Sequence, residues 1–563
     1  MYQLKSLLLT CIVGMSLVSW GQSTKSSAKG WHLKDLKQDG YYGISLDKAY
    51  DLVKNKKNQT VIVAIIDSGI DTTHEDLKSV LWTNPKEIPG NGKDDDGNGY
   101  VDDVHGWNFL GGKDGRNVNE DSYEVARVYH KYKDKFKDIS DPAQLPKEEQ
   151  YLYNMWRRAE KEIFGSENIS MTDLLILQRT AKAAANSDSV LRKAMNKPNF
   201  TGKDLETFVA NTEDAKKAKS FLLYLFSANN LMDMSNTELL ESFNAYLSSQ
   251  EKKAMAAEKT PKDYRGEIVK DNYNDINDRF YGNSDIMAAD PEHGTHVAGI
   301  IGAERNNGKG IDGIADNVKI MLVRAVPDGD EHDKDVALAI RYAVDNGARV
   351  INMSFGKYYS PEKPWVDEAV RYAESKNVLL VAAAGNESYF VDTLPHYPNP
   401  VFLNDNKRAT NWITVGASGD PKLGGLVASF SNVGKKDVDV FAPGVSIYST
   451  VPTGNMYRNH DGTSMASPVV TGVAAFILSY FPNLTAQQVK YIIEESSVKP
   501  TIKAENPANG KPALLSELSK TGGVVNAYEA VKLAETINNK APRQPAQTAP
   551  VKREKKPAPA KAF

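Results

Sequence analysis

Residues 60–66, Thr-Val-Ile-Val-Ala-Ile-Ile, form a continuous apolar run that is rich in β-branched side chains. Such a run is typical of a strand that is buried on both faces of a parallel sheet. Further strand patterns alternate with helical patterns in the second half of the chain, which predicts βαβ units. The predicted strands are 318–323, 349–353, 378–383, 412–417 and 439–441, and the predicted helices include 333–346, 361–376 and 485–495. The sequence therefore predicts an α/β fold with a parallel sheet flanked by helices.

A second apolar run, residues 469–478, predicts a buried helix that begins near Ser464. We expect Pro468 in the first turn of this helix, where amide groups have no partner within the helix. The same unpaired N–H groups and the helix dipole favour an anion beside Ser464. Taken alone, Ser464 is better interpreted as a helix cap, so its role depends on two other segments.

The first of these segments ends in Asp67, directly after the strand pattern 60–66, where open α/β sheets carry their chemistry. Taken alone, Asp67 would be a turn residue. The second segment begins at His293 and predicts a closely packed helix, with His293 exposed at its start and His296 packed inside. A serine nucleophile needs a base near neutral pH, and that histidine needs a carboxylate to fix its tautomer.

The segments around these residues resemble those of the subtilisin-like serine proteases, or subtilases. The resemblance rests on residues 63–71, 293–299, 352–356, 383–387, 439–445 and 462–468, and it covers roughly 41–112 and 271–534. The chain order Asp, His, Ser is also that of subtilisin. The resemblance implies a catalytic triad of Asp67, His293 and Ser464, with Asn386 as a donor to the oxyanion. It also implies that the substrate backbone is bound by Ser354, Phe355, Gly356, Ala384 and Gly385.

The function implied by the resemblance is that of an exported serine endopeptidase, which hydrolyses protein or peptide substrates through an acyl-enzyme. The alternative is a catalytically silent protein of the same fold that docks partners through a helical insertion. Four intact catalytic positions favour the enzyme. A lipase or esterase would have a Gly-x-Ser-x-Gly motif and a serine-first order, and neither is present. The sequence indicates neither a substrate preference nor an oligomeric state.

An acidic loop predicts a calcium site. Asp94, Asp96 and Asn98 match the first half of a calcium loop, Asp102 falls at the ninth position, and Tyr100 offers its backbone carbonyl. The twelfth position is a histidine, so the loop is not an EF-hand. A solvated acidic turn is the alternative. A weaker second candidate is the group Asp271, Asp275 and Asp278.

The segment 120–262 has apolar residues at helical spacing and few β-branched runs, which predicts an inserted all-α subdomain of about five helices with a core of its own. We therefore expect a catalytic domain in two parts, 30–119 and 263–537, on either side of this insertion. Because the insertion lies between two triad residues, we expect it to limit substrate access or to recruit a partner.

The chain begins with the pattern of a secretion signal, 1–21, with Lys5, an apolar core at 7–18 and a cleavage position before Gln22. This pattern predicts a secreted, periplasmic or cell-envelope protein. A lipoprotein using Cys11 is disfavoured because the apolar run continues beyond that residue. Cys11 is the only cysteine, so no disulfide forms within the chain, and calcium is a candidate stabiliser.

The remaining composition gives few further indications. A net charge of −3 gives no sign of a nucleic-acid partner, and no transmembrane anchor is predicted in the mature chain. The tail, 538–563, is rich in proline, alanine and lysine and is predicted to be disordered. Between Gly21 and strand 60–66 we expect no separate inhibitory segment of the kind that many subtilases have, because this stretch is short.

Overall fold

The computed structural model describes residues 28–165, 171–229, 231–232, 234–423 and 425–540. The predicted signal peptide with Cys11 and residues 541–563 of the predicted tail lie outside the described residues. The closing helix, predicted to end near residue 537, continues to Lys540.

A seven-stranded sheet forms the centre of the molecule, in the order β2-β3-β1-β4-β5-β6-β7, and all of its neighbouring strands are parallel. Its strands are β1 Val61–Asp67, β2 Gly106–Asn108, β3 Val318–Arg324, β4 Val350–Met353, β5 Leu379–Ala383, β6 Trp412–Ser418 and β7 Val440–Pro443. The predicted α/β fold is confirmed. Because the strands are parallel, the residues that follow β1, β4 and β5 meet at one edge of the sheet.

Both faces of the sheet are buried, as the apolar run in β1 predicts. Val63 and Ile65 pack in one hydrophobic core, and Ala64 and Ile66 pack in the other, because successive side chains of a strand point to opposite faces. The helices of the α/β part are α1 Leu46–Val53, α8 Tyr264–Ile268, α9 Glu292–Gly302, α10 Asp333–Asp345, α11 Lys363–Ser375, α12 Thr463–Tyr480, α13 Ala486–Glu495, α14 Leu515–Leu518 and α15 Ala527–Lys540. The residues of α9 and α12 belong to the first core, and those of α10 and α11 belong to the second.

The part of the chain that the structure describes contains five strands that were not predicted. The edge strand β2 has three residues, too few for a periodic pattern. The hairpin β8 Ile447–Val451 and β9 Met456–His460 precedes α12, and a small pair, β10 Ala504–Glu505 and β11 Pro512–Ala513, follows α13.

The predicted insertion is helical in its described residues. Its helices are α2 Glu124–Phe136, α3 Lys147–Phe164, α4 Met171–Met195, α5 Gly202–Thr207, α6 Glu213–Ala228 and α7 Asn236–Glu258. Its apolar residues form two clusters. One of these clusters, around Trp156, also includes Tyr359 from the α/β part. The boundaries at 120 and 262 stay predictions.

Within the described residues, α12 is the one helix that is long and apolar enough to cross a membrane. It is 18 residues long, and 89% of it is buried inside the protein. Burial of this kind is typical of the central helix of a folded core.

Candidate active site

Asp67 and His293 form a hydrogen-bonded pair at the carboxyl edge of the sheet. Asp67 ends β1 and is 2% exposed, whereas the side chain of His293, in the first turn of α9, is 40% exposed. His293 Nδ1 lies 2.8 Å from Asp67 Oδ1, which also accepts the Ser68 N–H at 2.8 Å. Because a carboxylate only accepts, Nδ1 carries the proton and Nε2 keeps a free lone pair.

The pKa of His293 is set by two opposing effects. Desolvation by burial lowers it, but the charge of Asp67 and the hydrogen bond to it raise it, so that the pKa lies above the ordinary value of 6.5. Asp290 adds to this increase through its charge. The protonated imidazole is therefore stabilised, which favours His293 as a proton acceptor.

Ser464 is the second residue of α12, because the helix begins at Thr463. The prediction that Pro468 lies in the first turn is wrong: with this start, Pro468 is the sixth helical residue and lies inside the helix. Proline has no N–H, so the Ser464 carbonyl lacks its usual helical donor. That carbonyl instead accepts from Ser354 Oγ at 2.9 Å, and Ser464 Oγ donates to the Ser354 carbonyl at 3.1 Å.

Asn386 lies beside the start of α12. Its Oδ1 atom accepts from Thr463 N at 2.9 Å and from Thr463 Oγ1 at 2.8 Å. Because a backbone N–H can only donate, these contacts orient the amide and leave Nδ2 as a donor. A Cβ atom at Gly462, where φ is 151°, would lie 3.5 Å from Ser464 N and 3.6 Å from Asn386 Nδ2. Glycine at 462 therefore leaves open a space that borders both donors.

The predicted substrate-binding residues divide into two groups. Ser354 and Ala384 are buried and make internal contacts: Ser354 with Ser464, and the Ala384 N–H with the Val415 carbonyl at 3.0 Å. Phe355, Gly356 and Gly385 are half-buried beside the site.

His396 was not singled out from the sequence, yet its ring lies between the two glycines. A Cβ atom at Gly356 would lie 2.1 Å from His396 Cε1, and one at Gly385 would lie 3.2 Å from His396 Nε2. The rings of Tyr358 and His396 are 5.5 Å apart, and Tyr358 donates to Glu387 Oε2. No short motif joins these positions, so only the fold shows that they are neighbours.

The second histidine of α9 is packed, as predicted. His296 is fully buried, its Nε2 lies 3.1 Å from the Arg458 carbonyl, and burial holds its pKa well below the ordinary value. At the start of the same helix, Glu292 Oε1 lies 3.1 Å from His460 Nε2. This contact links the segment before His293 to the segment before Ser464.

The acidic loop brings three carboxylates together. Oxygen atoms of Glu87, Asp94 and Asp96 lie within 4.8 Å of one another. Glu87 is 7% exposed, and its Oε2 has no hydrogen-bond partner among the described residues. A buried, unpaired carboxylate oxygen beside two further carboxylates fits a hard cation such as calcium. Glu87 precedes the loop motif, which explains why the motif did not identify it.

Of the other predicted ligands, Asp102 is not part of that group of carboxylates, whereas the Asn98 N–H donates to Asp94 Oδ1 at 3.1 Å and to Asp96 Oδ1 at 3.0 Å. The Asp102 carboxylate accepts from the backbone N–H groups of Asn91 and Gly92 at 3.1 and 2.8 Å. Asn98 Oδ1 accepts from Tyr100 N at 2.8 Å, so that these residues close the turn.

The prediction of a weaker second cation site around Asp271 is wrong. The Asp271 carboxylate is buried between Arg265 Nε at 2.9 Å and Lys334 Nζ at 2.6 Å. These two cations already neutralise it.

The sequence profile of the subtilase family matches residues 58–521, most of the chain. The chain belongs to the subtilase family. The matched residues include Asp67, His293, Asn386 and Ser464, which the fold places around one edge of the sheet.

Named relatives agree with this assignment. This subtilase is 41% identical over 241 residues to the thermophilic serine proteinase of Bacillus sp. (strain AK1), a match that covers 43% of this chain and 54% of the relative. It is 36% identical over 280 residues to thermitase of Thermoactinomyces vulgaris, covering 47% of this chain and 85% of thermitase. The chain thus matches about half the length of the first relative. A solved protease of Pseudoalteromonas arctica PAMC 21717 covers 91% of this chain and 100% of its own, with 18% identity and a TM-score of 0.44.

Proposed function

We propose that this subtilase is an exported serine endopeptidase that uses Asp67, His293 and Ser464 as its catalytic triad. The observation that carries the proposal is the 2.8 Å contact between Asp67 Oδ1 and His293 Nδ1, next to a helix that begins with Ser464. The relative that is named a thermophilic serine proteinase supports the same reaction class.

Activation of the nucleophile follows from the hydrogen bonds of the site. Ser464 Oγ now donates to the Ser354 carbonyl, so attack requires that it exchange this partner for His293 Nε2. His293 then takes the hydroxyl proton as Oγ bonds to the peptide carbonyl carbon, and Asp67 stabilises the imidazolium. Hydrogen bonds of this kind often tighten only when substrate is bound.

The tetrahedral intermediate carries a negative charge on the former carbonyl oxygen. Ser464 N–H and Asn386 Nδ2 border the open space at Gly462 and would donate to that oxygen. The C–N bond then breaks, His293 delivers its proton to the leaving amine, and an acyl-enzyme remains on Ser464. Water attacks the ester carbon and gives a proton to His293; the bond to Ser464 Oγ then breaks, the carboxylic acid leaves, and His293 returns the proton to Oγ.

We also propose that calcium binds at Glu87, Asp94 and Asp96 and has a structural role. Bound calcium would neutralise three carboxylates that otherwise repel one another, one of which is buried. The motif also predicts three further ligands, which stabilise the loop by the hydrogen bonds that close its turn: Asn98, Tyr100 and Asp102.

Cleavage of a peptide with both ends blocked tests the endopeptidase proposal. An N-acetylated, C-amidated library is treated with the purified protein and with a Ser464→Ala variant, and the products are identified by mass spectrometry. Internal cleavage by the parent protein alone is expected. Equal products from both proteins, or none from either, would contradict the proposal and favour a binding protein of the same fold.

Export is tested separately: expression from the full sequence is expected to place the protein outside the cytosol with Gln22 at its N-terminus.

A further inference from the structure

Four consecutive residues of this subtilase, 357–360, all have polar contacts with the predicted insertion. We call them the clamped segment. They directly follow Ser354, Phe355 and Gly356, the proposed substrate-binding residues. The position and movement of the clamped segment therefore affect the wall of the proposed substrate cleft.

The first contact is a buried ion pair. The side chain of Lys357 is fully buried, and its Nζ lies 2.8 Å from Glu124 Oε2 at the start of α2. Asp333 Oδ1 lies 2.9 Å from the same Nζ, which also donates to the Glu331 carbonyl at 2.7 Å. A buried ammonium group is stable only with partners of this kind, and α2 supplies one of the two carboxylates that hold the clamped segment.

The contacts of the other three residues come from α3. Arg158 donates to the Tyr358 carbonyl, and its guanidinium lies 4.7 Å from the centre of the Tyr359 ring. The Tyr359 hydroxyl donates to Glu162 Oε2 at 2.6 Å, and the Tyr151 hydroxyl donates to the Ser360 carbonyl at 2.9 Å. Each residue of the clamped segment is thus held from the insertion side.

The clamped segment also contacts the residues that lie beside Gly356. Lys357 forms a two-way backbone pair with Tyr397, at 2.8 and 2.7 Å, and the adjacent His396 ring lies against Gly356. A cavity of about 280 Å³ lies nearby and is lined in part by Tyr151, His396 and Tyr397. Close packing therefore does not by itself fix the side chains that border this space, and the hydrogen bond from Tyr151 to the Ser360 carbonyl adds to it.

We infer that α2 and α3 of the insertion position the substrate-binding wall, with Tyr151 and Glu162 as positioning residues that hold the clamped segment and, through it, Gly356. The inference rests on the proposed function for the identity of the cleft. The insertion therefore acts on peptide binding rather than on the chemistry at Ser464. Its contribution is larger for a substrate that extends along Gly356 than for a small ester.

The test combines Tyr151→Phe with Tyr359→Phe in the full chain, since both changes remove a hydroxyl group and leave the rings in place. Tyr153→Phe is the matched control, because Tyr153 is on the same helix and packs against Phe136 and Trp156. Binding of oxidised insulin B chain is measured by titration calorimetry in a Ser464→Ala background, so that the readout does not need catalysis.

We expect the double variant to weaken binding of the B chain about three- to tenfold. This factor corresponds to the loss of one to two hydrogen bonds, part of whose free energy is recovered by new contacts. With Ser464 present, KM for a long blocked peptide rises by the same factor, whereas kcat and the hydrolysis of p-nitrophenyl acetate stay unchanged. Glu162→Ala gives a similar loss, and Glu162→Gln, which keeps an oxygen acceptor, restores binding.

Unchanged B-chain binding in the double variant would overturn the inference, even if the melting temperature fell, because a merely structural role would lower stability alone. Failure of the proposed function has a different result. In that case the protein with Ser464 does not cleave the B chain, while the calorimetric comparison still decides whether the insertion positions the peptide-binding wall.

Discussion

Replacing Asp67 with asparagine tests the electrostatic part of the site most closely. Asp67 Oδ1 accepts from both His293 Nδ1 and Ser68 N, and Oδ2 is buried without a hydrogen-bond partner among the described residues. In Asp67→Asn the amide oxygen is expected to stay at the Oδ1 position, because an NH₂ group there would face the Ser68 N–H. The tautomer of His293 is then preserved, and the main change is the loss of one negative charge.

The size of the effect follows from that charge. With an effective dielectric constant near 20, a unit charge about 4 Å from the imidazolium contributes about 4 kcal/mol, or roughly three powers of ten. Part of this loss appears as a lower pKa of His293, so we expect kcat/KM at its optimum to fall about 10²- to 10³-fold. A wrong tautomer would cost more, about 10⁴-fold in a chymotrypsin-type triad.

The pH profile of kcat/KM shows the direction in which the pKa of His293 moves. Asp67 raises the pKa of His293 above 6.5, so the acidic limb of kcat/KM in the parent protein lies above pH 6.5. Removing the charge lowers that pKa, so the limb of Asp67→Asn moves to lower pH. Asp290→Asn is the control, since Asp290 contributes charge without a hydrogen bond, and its limb should move less. A limb that stays in place or moves upward in Asp67→Asn would refute this reasoning.

Three further predictions concern the neighbouring groups. Asn386→Asp keeps the oxygen that accepts from Thr463 but removes the Nδ2 donor. We therefore expect kcat to fall about 10²- to 10³-fold in steady-state assays with little change in KM. An unchanged kcat would contradict the role of Asn386. Glu87→Gln should reduce the rise in melting temperature on adding calcium, whereas Asp95→Asn in the same loop should not; an equal rise in all three proteins would argue against the site. Lys357→Met leaves the Asp333 carboxylate buried without its cation, whereas Glu124 keeps Arg127 as a partner. The free energy of unfolding should fall by about 3–5 kcal/mol in urea titrations, and a loss below about 1 kcal/mol would show that the ion pair is dispensable.

The sheet was predictable because apolar runs long enough to be buried on both faces have few other arrangements. The run at 60–66 appears as Val61–Asp67, and the later strands start or end within about two residues of their predicted bounds. The pairing of Asp67 with His293 also follows from the topology, since both lie at the carboxyl edge of a parallel sheet.

Other parts of the site depend on contacts that are distant in sequence. The sequence predicts Pro468 in the first turn, but α12 begins earlier, at Thr463, whose N–H donates to Asn386. Glu87 joins the acidic loop from outside the motif, and His396 lies next to Gly356 only after β4 and β5 are paired. Local periodicity contains no information on any of these contacts.

The central claim is that His293 activates Ser464. The direct measurement is the rate at which a fluorophosphonate labels the folded, calcium-loaded protein, followed by peptide mapping, in the parent protein and in His293→Ala. The account predicts a single adduct on Ser464 in the parent protein and labelling at least about 10³-fold slower in the variant. Absence of the adduct from Ser464, or equal rates in both proteins, would contradict it.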